Sequence, residues 1–277
     1  MSSCEITSST DGPLLAKDVD ISRVEYSDVQ SSKGNSTFRS AYVNYGGDNK
    51  LVVQTPWLFT WDGISEPPEE YRQPGAPPKY SINFSLRGHK DNAEVQAFLK
   101  MLNDLDEKIL HDASTTHSQA WLKKKTMSKD VCEALYTKQV KLAKDRDTGE
   151  FTDQLPPSFK AKVPYYDGVY KCMLFDQARN EITENFHEHL TGRCQVRAIL
   201  RCTSVWFAGG KFGVSWQVQQ CEYIPDASQM RSYGFRQTAE DAQRPALPAP
   251  AQAQAQAPEA KAAPDDDEED IDDSDIE

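Results

Sequence analysis

Two short patterns in this chain have residue types suited to catalysis or metal binding, and both fail on their surroundings. Asp147-Thr148-Gly149 has the residue order of an aspartic-protease motif. That chemistry needs an apolar strand to carry the carboxylate and a second carboxylate to share its proton, whereas the neighbours here are Lys144, Arg146 and Glu150. Read as a calcium loop, Asp145-x-Asp147-x-Gly149 lacks an oxygen ligand at Gly149, and Pro156 stands where a bidentate glutamate belongs. The stretch reads as an exposed turn. His187-x-His189, followed by Cys194 and Cys202, holds donor types that suit zinc, but the spacing fits no finger or ribbon. The sequence shows no Ser/His/Asp or Cys/His arrangement and no glycine-rich phosphate cradle. A protein without enzymatic chemistry, cofactor or metal is expected.

The cations point elsewhere. Lys123-Lys124-Lys125 follows Trp121, and Lys129, Lys138, Lys141 and Lys144 continue along what reads as the next helix. Lys160 and Lys162 alternate in one strand pattern, Arg193, Arg197 and Arg201 in another, and Lys211 follows its turn. Charged faces are commonly no more than solvated surface. Beside aromatic rings they gain a use, because a positive groove tracks a phosphate backbone while ring faces stack bases of any sequence at about 1–3 kcal/mol each. Trp57, Trp61, Tyr80, Tyr165, Tyr166 and Trp206 are candidate platforms, most of them equally eligible for the core. The expected nucleic-acid contacts are Trp121, Lys123, Lys124, Lys125, Lys160, Lys162, Arg193, Arg197, Arg201 and Lys211.

The element that must present the arginines is Arg193–Pro225, two long strands joined at Ala208-Gly209-Gly210-Lys211. Glycine pairs supply the positive φ that tight hairpin turns demand. Val196, Ala198, Leu200 and Cys202 alternate with polar and cationic residues, and Phe212, Val214, Trp216 and Val218 do the same on return, so one face is apolar. Upstream, 39–45, 50–55 and 79–87 read as strands, 57–61 as a further extended piece, and the proline-rich 66–79 as a loop. Asp91-Asn92-Ala93-Glu94 resembles a capping box, and Val95, Phe98, Leu99, Leu102, Leu105 and Ile109 follow at helical spacing. A second piece holds Trp121, and a third helix starts at Ser128 and runs through Val140 and Leu142. Phe159, Ala161 and Val163 return to strand alternation, and 169–175 reads as a buried strand.

At 277 residues the chain has room for one large domain or two small ones. Its formal charge is −12, yet the last thirteen residues hold ten acids: Asp265, Asp266, Asp267, Glu268, Glu269, Asp270, Asp272, Asp273, Asp275 and Glu277. The remainder is nearly neutral, so the acidity belongs to a tail. The six cysteines contain no C-x-x-C pair, which suits free thiols in a reducing compartment. No apolar run approaches the roughly 20 residues that cross a bilayer, and a soluble intracellular protein without membrane contact is expected. The Ala/Pro/Gln-rich stretch before the tail reads as a semi-extended linker.

Three segments together carry a family likeness: Trp121-Leu122-Lys123-Lys124-Lys125; the run from Leu135-Tyr136 through Lys144-Asp145, Gly149-Glu150 and Pro156-Pro157 to Asp167-Gly168; and Val205–Trp216. Over about 38–225 the chain resembles a family of nucleocytoplasmic large DNA viruses, including giant algal viruses. That family is similar to the OB-fold single-stranded-DNA-binding proteins of asfarvirus and poxvirus relatives. The resemblance implies a protein that coats single-stranded DNA in viral replication, recombination or repair. It also implies a place at viral replication sites in the host cytoplasm or nucleus, or in the virion. RNA is an alternative strand, replication proteins are candidate partners of the tail, and a homo-oligomer is compatible.

The resulting expectation is a mainly β fold: an OB-like antiparallel barrel with a helical insertion and a disordered acidic C-terminal tail. Its parts are a flexible N-terminal arm (1–36), the nucleic-acid-binding domain (37–226, with the insertion at 91–146), a linker (227–264) and the tail (265–277). The tail is expected to compete with DNA for the groove or to recruit partners. The rival reading is a virion or histone-chaperone-like protein that captures basic partners through the tail.

Overall fold

The computed structural model describes residues 12–32, 35–67, 78–145, 148–152 and 154–225. The expected linker and acidic tail lie outside the described residues, as do residues 1–11 of the expected arm and most of the proline-rich loop.

In chain order the strands of the N-terminal half are β1 (Leu14–Leu15), β2 (Val24–Tyr26), β3 (Gln30–Ser32), β4 (Asn35–Tyr45), β5 (Val52–Gln54), β6 (Leu58–Ser65) and β7 (Tyr80–Ser85). The helices α1 (Ala93–Ser114), α2 (Ser118–Leu122) and α3 (Lys129–Leu135) follow, then β8 (Tyr136–Thr137), β9 (Val140–Lys141) and β10 (Ser158–Val163). Short strands β11 (Tyr165–Tyr166), β12 (Val169–Tyr170), β13 (Met173–Phe175) and β14 (Glu181–Ile182) lead through α4 (Phe186–His189) into β15 (Cys194–Ala208) and β16 (Lys211–Ile224). No helix among the described residues is long and apolar enough to cross a membrane.

Five strands close a ring, β15-β6-β7-β10-β16 and back to β15. All contacts in it are antiparallel except β10 with β16, which run parallel. The fold is mostly β with a few helices, a five-stranded Greek-key barrel of the OB kind. Alternation fills it: Phe84, Phe159, Leu200, Phe212 and Trp216 are all buried. At the seam between β6 and β15 the backbones nearly touch. A Cβ on Gly192 would lie 2.1 Å from the Trp61 carbonyl oxygen, and one on Gly63 would lie 2.1 Å from that of Leu190. Gly209 and Gly210, at φ +55° and +75°, form the two-residue turn between β15 and β16.

Four sequence expectations change. The side chain that caps α1 is Asn92, accepting from the Glu94 and Val95 amides at 2.9 and 3.1 Å, one residue beyond the expected Asp91. The third helix stops at Leu135, and the chain turns into β8 and β9. Residues 169–175 split into β12 and β13, leaving Val169 and Met173 exposed. Residues 14–32, read as part of a flexible arm, are instead packed. Val24 is buried, and Tyr26 donates to Asp112 on α1 at 3.0 Å and meets the Trp121 ring edge-on at 4.8 Å. Their apolar residues are too scattered for periodicity to reveal: Val24 is buried, Leu14, Val19, Ile21 and Val29 pack in part against the core, and Leu15 is exposed.

The segment 136–141 acts as a wedge. β8 pairs with β16 at Tyr136 and Thr137, and β9 pairs with β10 at Val140 and Lys141. It fills the gap where those two parallel strands, paired directly at Lys162 and Gln217, diverge.

Candidate nucleic-acid interface

Register partners in neighbouring strands share a face of a sheet. In β10 Phe159, Ala161 and Val163 are buried, so Lys160 and Lys162 lie on the outer face. Lys162 stands beside Gln217 of β16, which is opposite Arg201 of β15. One step along, Lys162 Nζ donates to Ser215 Oγ at 3.0 Å, Ser215 is opposite Ser204, and Ser204 is opposite the exposed Tyr42 of β4. One step further Trp206 faces Gly213, and the indole occupies the space that a side chain there would need: a Cβ on Gly213 would lie 2.8 Å from the ring.

Lys162, Ser215 and Trp206 border a cleft of about 320 Å³ that Phe38, Lys138, Lys141 and Lys160 also line, with Gln139 and Trp216 among its deeper walls. Among the described residues no carboxylate lines it. The four lysines are exposed, and none is ion-paired with a described residue. Desolvation, followed by repulsion from Lys79, holds the Lys162 ammonium below the ordinary lysine range.

A buried network sets the two wedge lysines in place. Asp106 of α1 accepts from the Tyr136 hydroxyl and the Gln139 side-chain amide, each at 2.5 Å, and from the Gln139 backbone N–H at 3.2 Å. Gln139 Nε2 also donates to the Leu102 carbonyl at 3.2 Å, and its Oε1 accepts from the Trp216 indole N–H. Burial raises the Asp106 pKa against the opposing pull of these donors, and burial likewise raises that of Tyr136. Lys138 and Lys141 flank Gln139, so the network anchors both at the cleft.

Of the ten contacts expected from sequence, the structure brings Lys160 and Lys162 into this cleft and sets Arg201 on the same face two strands away. Arg201 is half-buried, and its Nε has no hydrogen-bond partner among the described residues. Trp121 is not a stacking platform: it is 1% exposed, sandwiched by His117, Tyr26 and Phe207. Arg197 is already committed, paired with Glu222 and held 4.8 Å over the Trp57 ring. Counting back from the Gly209-Gly210 turn places Arg197 opposite Glu222, a signal available in the sequence. Two bulges in between, one on each strand, cancel. Arg193 is exposed in the loop before β15, at φ +61°. Lys123 and Lys125 are exposed beyond α2, while Lys124 and Lys211 border a different cleft.

The sequence reading missed Phe38 and Tyr42. Period-two alternation in β4 buries Ala41, Val43 and Tyr45 and turns Phe38, Ser40 and Tyr42 outward, so two rings on the polar side were the available signal. The histidines and cysteines do not gather: His189 meets the Tyr223 hydroxyl at 3.0 Å, His187 meets that of Tyr170, and Cys202 is buried in the core. No group of three metal-ligating side chains occurs among the described residues.

No protein-family model matches the chain, and no curated protein matches its sequence. Similar solved structures exist. The single-stranded-DNA-binding protein from bacteriophage Enc34, in complex with single-stranded DNA, is 12% identical with a TM-score of 0.42, covering 74% of this chain and 97% of that one. The single-stranded-DNA-binding protein encoded by bacteriophage T7 is 10% identical with a TM-score of 0.37, covering 66% and 99%.

Proposed function

We propose that this protein binds single-stranded DNA without sequence preference, through the outer face of the barrel. The observation that carries the reading is the cleft itself. Four exposed lysines with no carboxylate among them surround a wall that offers Trp206 and Phe38. Oligonucleotides bind OB barrels across the second and third strands and the loops after the first and fourth. Here those strands are β7 and β10, and the loop after the fourth is the Gly209-Gly210 turn. Cations for phosphates and rings for bases give binding that tolerates sequence.

The finer reading rests on the family resemblance and on the ten acids among the last thirteen residues. The protein coats single strands during replication, recombination or repair of a viral genome, and its acidic tail competes with DNA for the groove or recruits basic partners. The deciding experiment is fluorescence anisotropy with labelled oligo-dT across a salt series. Changing Lys138, Lys141, Lys160 and Lys162 to Gln should lower affinity and flatten the salt slope by roughly 3, at about 0.7 per phosphate contact. Absence of binding at low salt, both by the full chain and by a chain truncated before Gln243, would reject the reading. Histone binding that needs the tail would then favour capture of basic proteins.

A further inference from the structure

Strands β4 and β15 carry a second cationic cleft on the side opposite the first. Alternation sends Phe38 and Trp206 to the outer face and Arg39 and Phe207 to the opposite one. There Arg39, Trp121, Lys124, Met127, Leu135 and Phe207 line, with the turn Ala208–Lys211, a cleft of about 300 Å³. Among the described residues no carboxylate lines it. Arg39 is fixed in place: its guanidinium donates to the Trp121 carbonyl at 2.9 Å and to that of Ala120 at 3.4 Å, and lies 5.5 Å from the centre of the Phe207 ring. Its backbone partners are neutral, so its positive charge stays uncompensated. Among the described residues neither Arg39, Lys124 nor Lys211 has an ion-pair partner.

We propose that this cleft is a nucleotide subsite, taking a phosphate on Arg39, Lys124 and Lys211 and the base against the half-buried Met127 and Leu135. A preorganised guanidinium suits phosphate oxygens, and little side-chain freedom is lost when it engages them. The apolar floor argues for a nucleotide over the acidic tail, whose last thirteen residues offer Ile271 and Ile276 as their apolar side chains. The nucleotide is either a unit of a strand that leaves the outer groove and passes round the Gly209-Gly210 tip, or a free nucleoside monophosphate. The strand source rests on the single-stranded-DNA reading of the outer face.

The test uses the full chain and the double variant K124Q/K211Q, whose side chains are both exposed. Probes are labelled oligo-dT of about 6 and about 30 nucleotides, bracketing the roughly 4–16 that one OB fold occupies, and thymidine monophosphate. For a strand, the variant should bind the long probe roughly tenfold more weakly, with a salt slope smaller by about 1.4, and the short probe as before. For a free nucleotide, the monophosphate should bind the native chain and not the variant. The proposal is overturned by unchanged binding of all three probes, by equal losses on both oligonucleotides, or by a loss that vanishes when 243–277 are removed. The last result would make the cleft the seat of the tail. Failure of the outer-face reading looks different: changing the four groove lysines would leave the short probe bound. Arg39→Lys is a second variant, keeping the charge while losing the forked geometry, and should weaken the long probe alone.

Discussion

Replacing Trp206 with alanine should weaken oligo-dT binding by roughly 1–3 kcal/mol and barely move the unfolding midpoint, since its ring is half-exposed against Gly213. Trp121→Ala should do the reverse, costing about 3–5 kcal/mol of stability in denaturant titration because it empties a buried site. Matching effects from the two substitutions would contradict the assignment. Lys162 adds a pH dependence. Its pKa is lowered from 10.5 by desolvation and by Lys79, so between the folded and unfolded values the unfolded chain holds more protons. Folding therefore gains stability as pH rises through that window, while the groove loses a cation. DNA affinity should fall with rising pH below the range of an ordinary lysine, and Lys162→Arg should move that fall upward; superimposable pH profiles would reject the role. At this scale the sequence showed Lys160, Lys162 and Trp206, because strand alternation alone sorts them. It misled at Trp121, since a five-residue helix is too short to display a buried stripe.

Between residues and the whole lies the wedge 136–141, which the insertion delivers to the barrel. Asp106→Asn would place an amide donor against groups that already donate, so stability should drop by about 1–3 kcal/mol. Amide exchange of 137–141 should quicken more than that of β15, and DNA affinity should fall along with it. Loss of stability with wedge protection and affinity intact would show the network to be mere core. The long apolar stripe of α1, the two-faced β15–β16 hairpin and the lysine-bearing β10 were legible because each has a period. The wedge was not. Val140 and Leu142 continue a helical spacing from α3, and what ends that helix is pairing with β16 and β10, partners some 76 and 18 residues away.

For the molecule as a whole, charge is segregated along the chain, with ten acids in the last thirteen residues and a nearly neutral remainder. Truncation before Gln243 should tighten oligo-dT binding at low salt, and the gain should fade as the Debye length shrinks toward 3 Å near 1 M salt. Equal affinity of the two chains at low salt would rule out competition by the tail. The barrel itself was legible in kind, as many short strands with one helical excursion, but its ring closure was not, since β6 finds β15 only across more than a hundred residues. That closure has a consequence in time. During synthesis β10 follows β6 and β7 by about 73 residues, and the strands that complete the ring end a further 61 residues on, at Ile224. At about 5–20 residues per second the ribosome needs roughly 3–12 s to cover the interval. Throughout it the part of β10 beyond Phe159, which β9 does not cover, lacks its β16 partner, the kind of template on which nascent chains aggregate. Lys160 and Lys162 sit on that edge strand, and charges on an open edge hold unfinished copies of a protein apart.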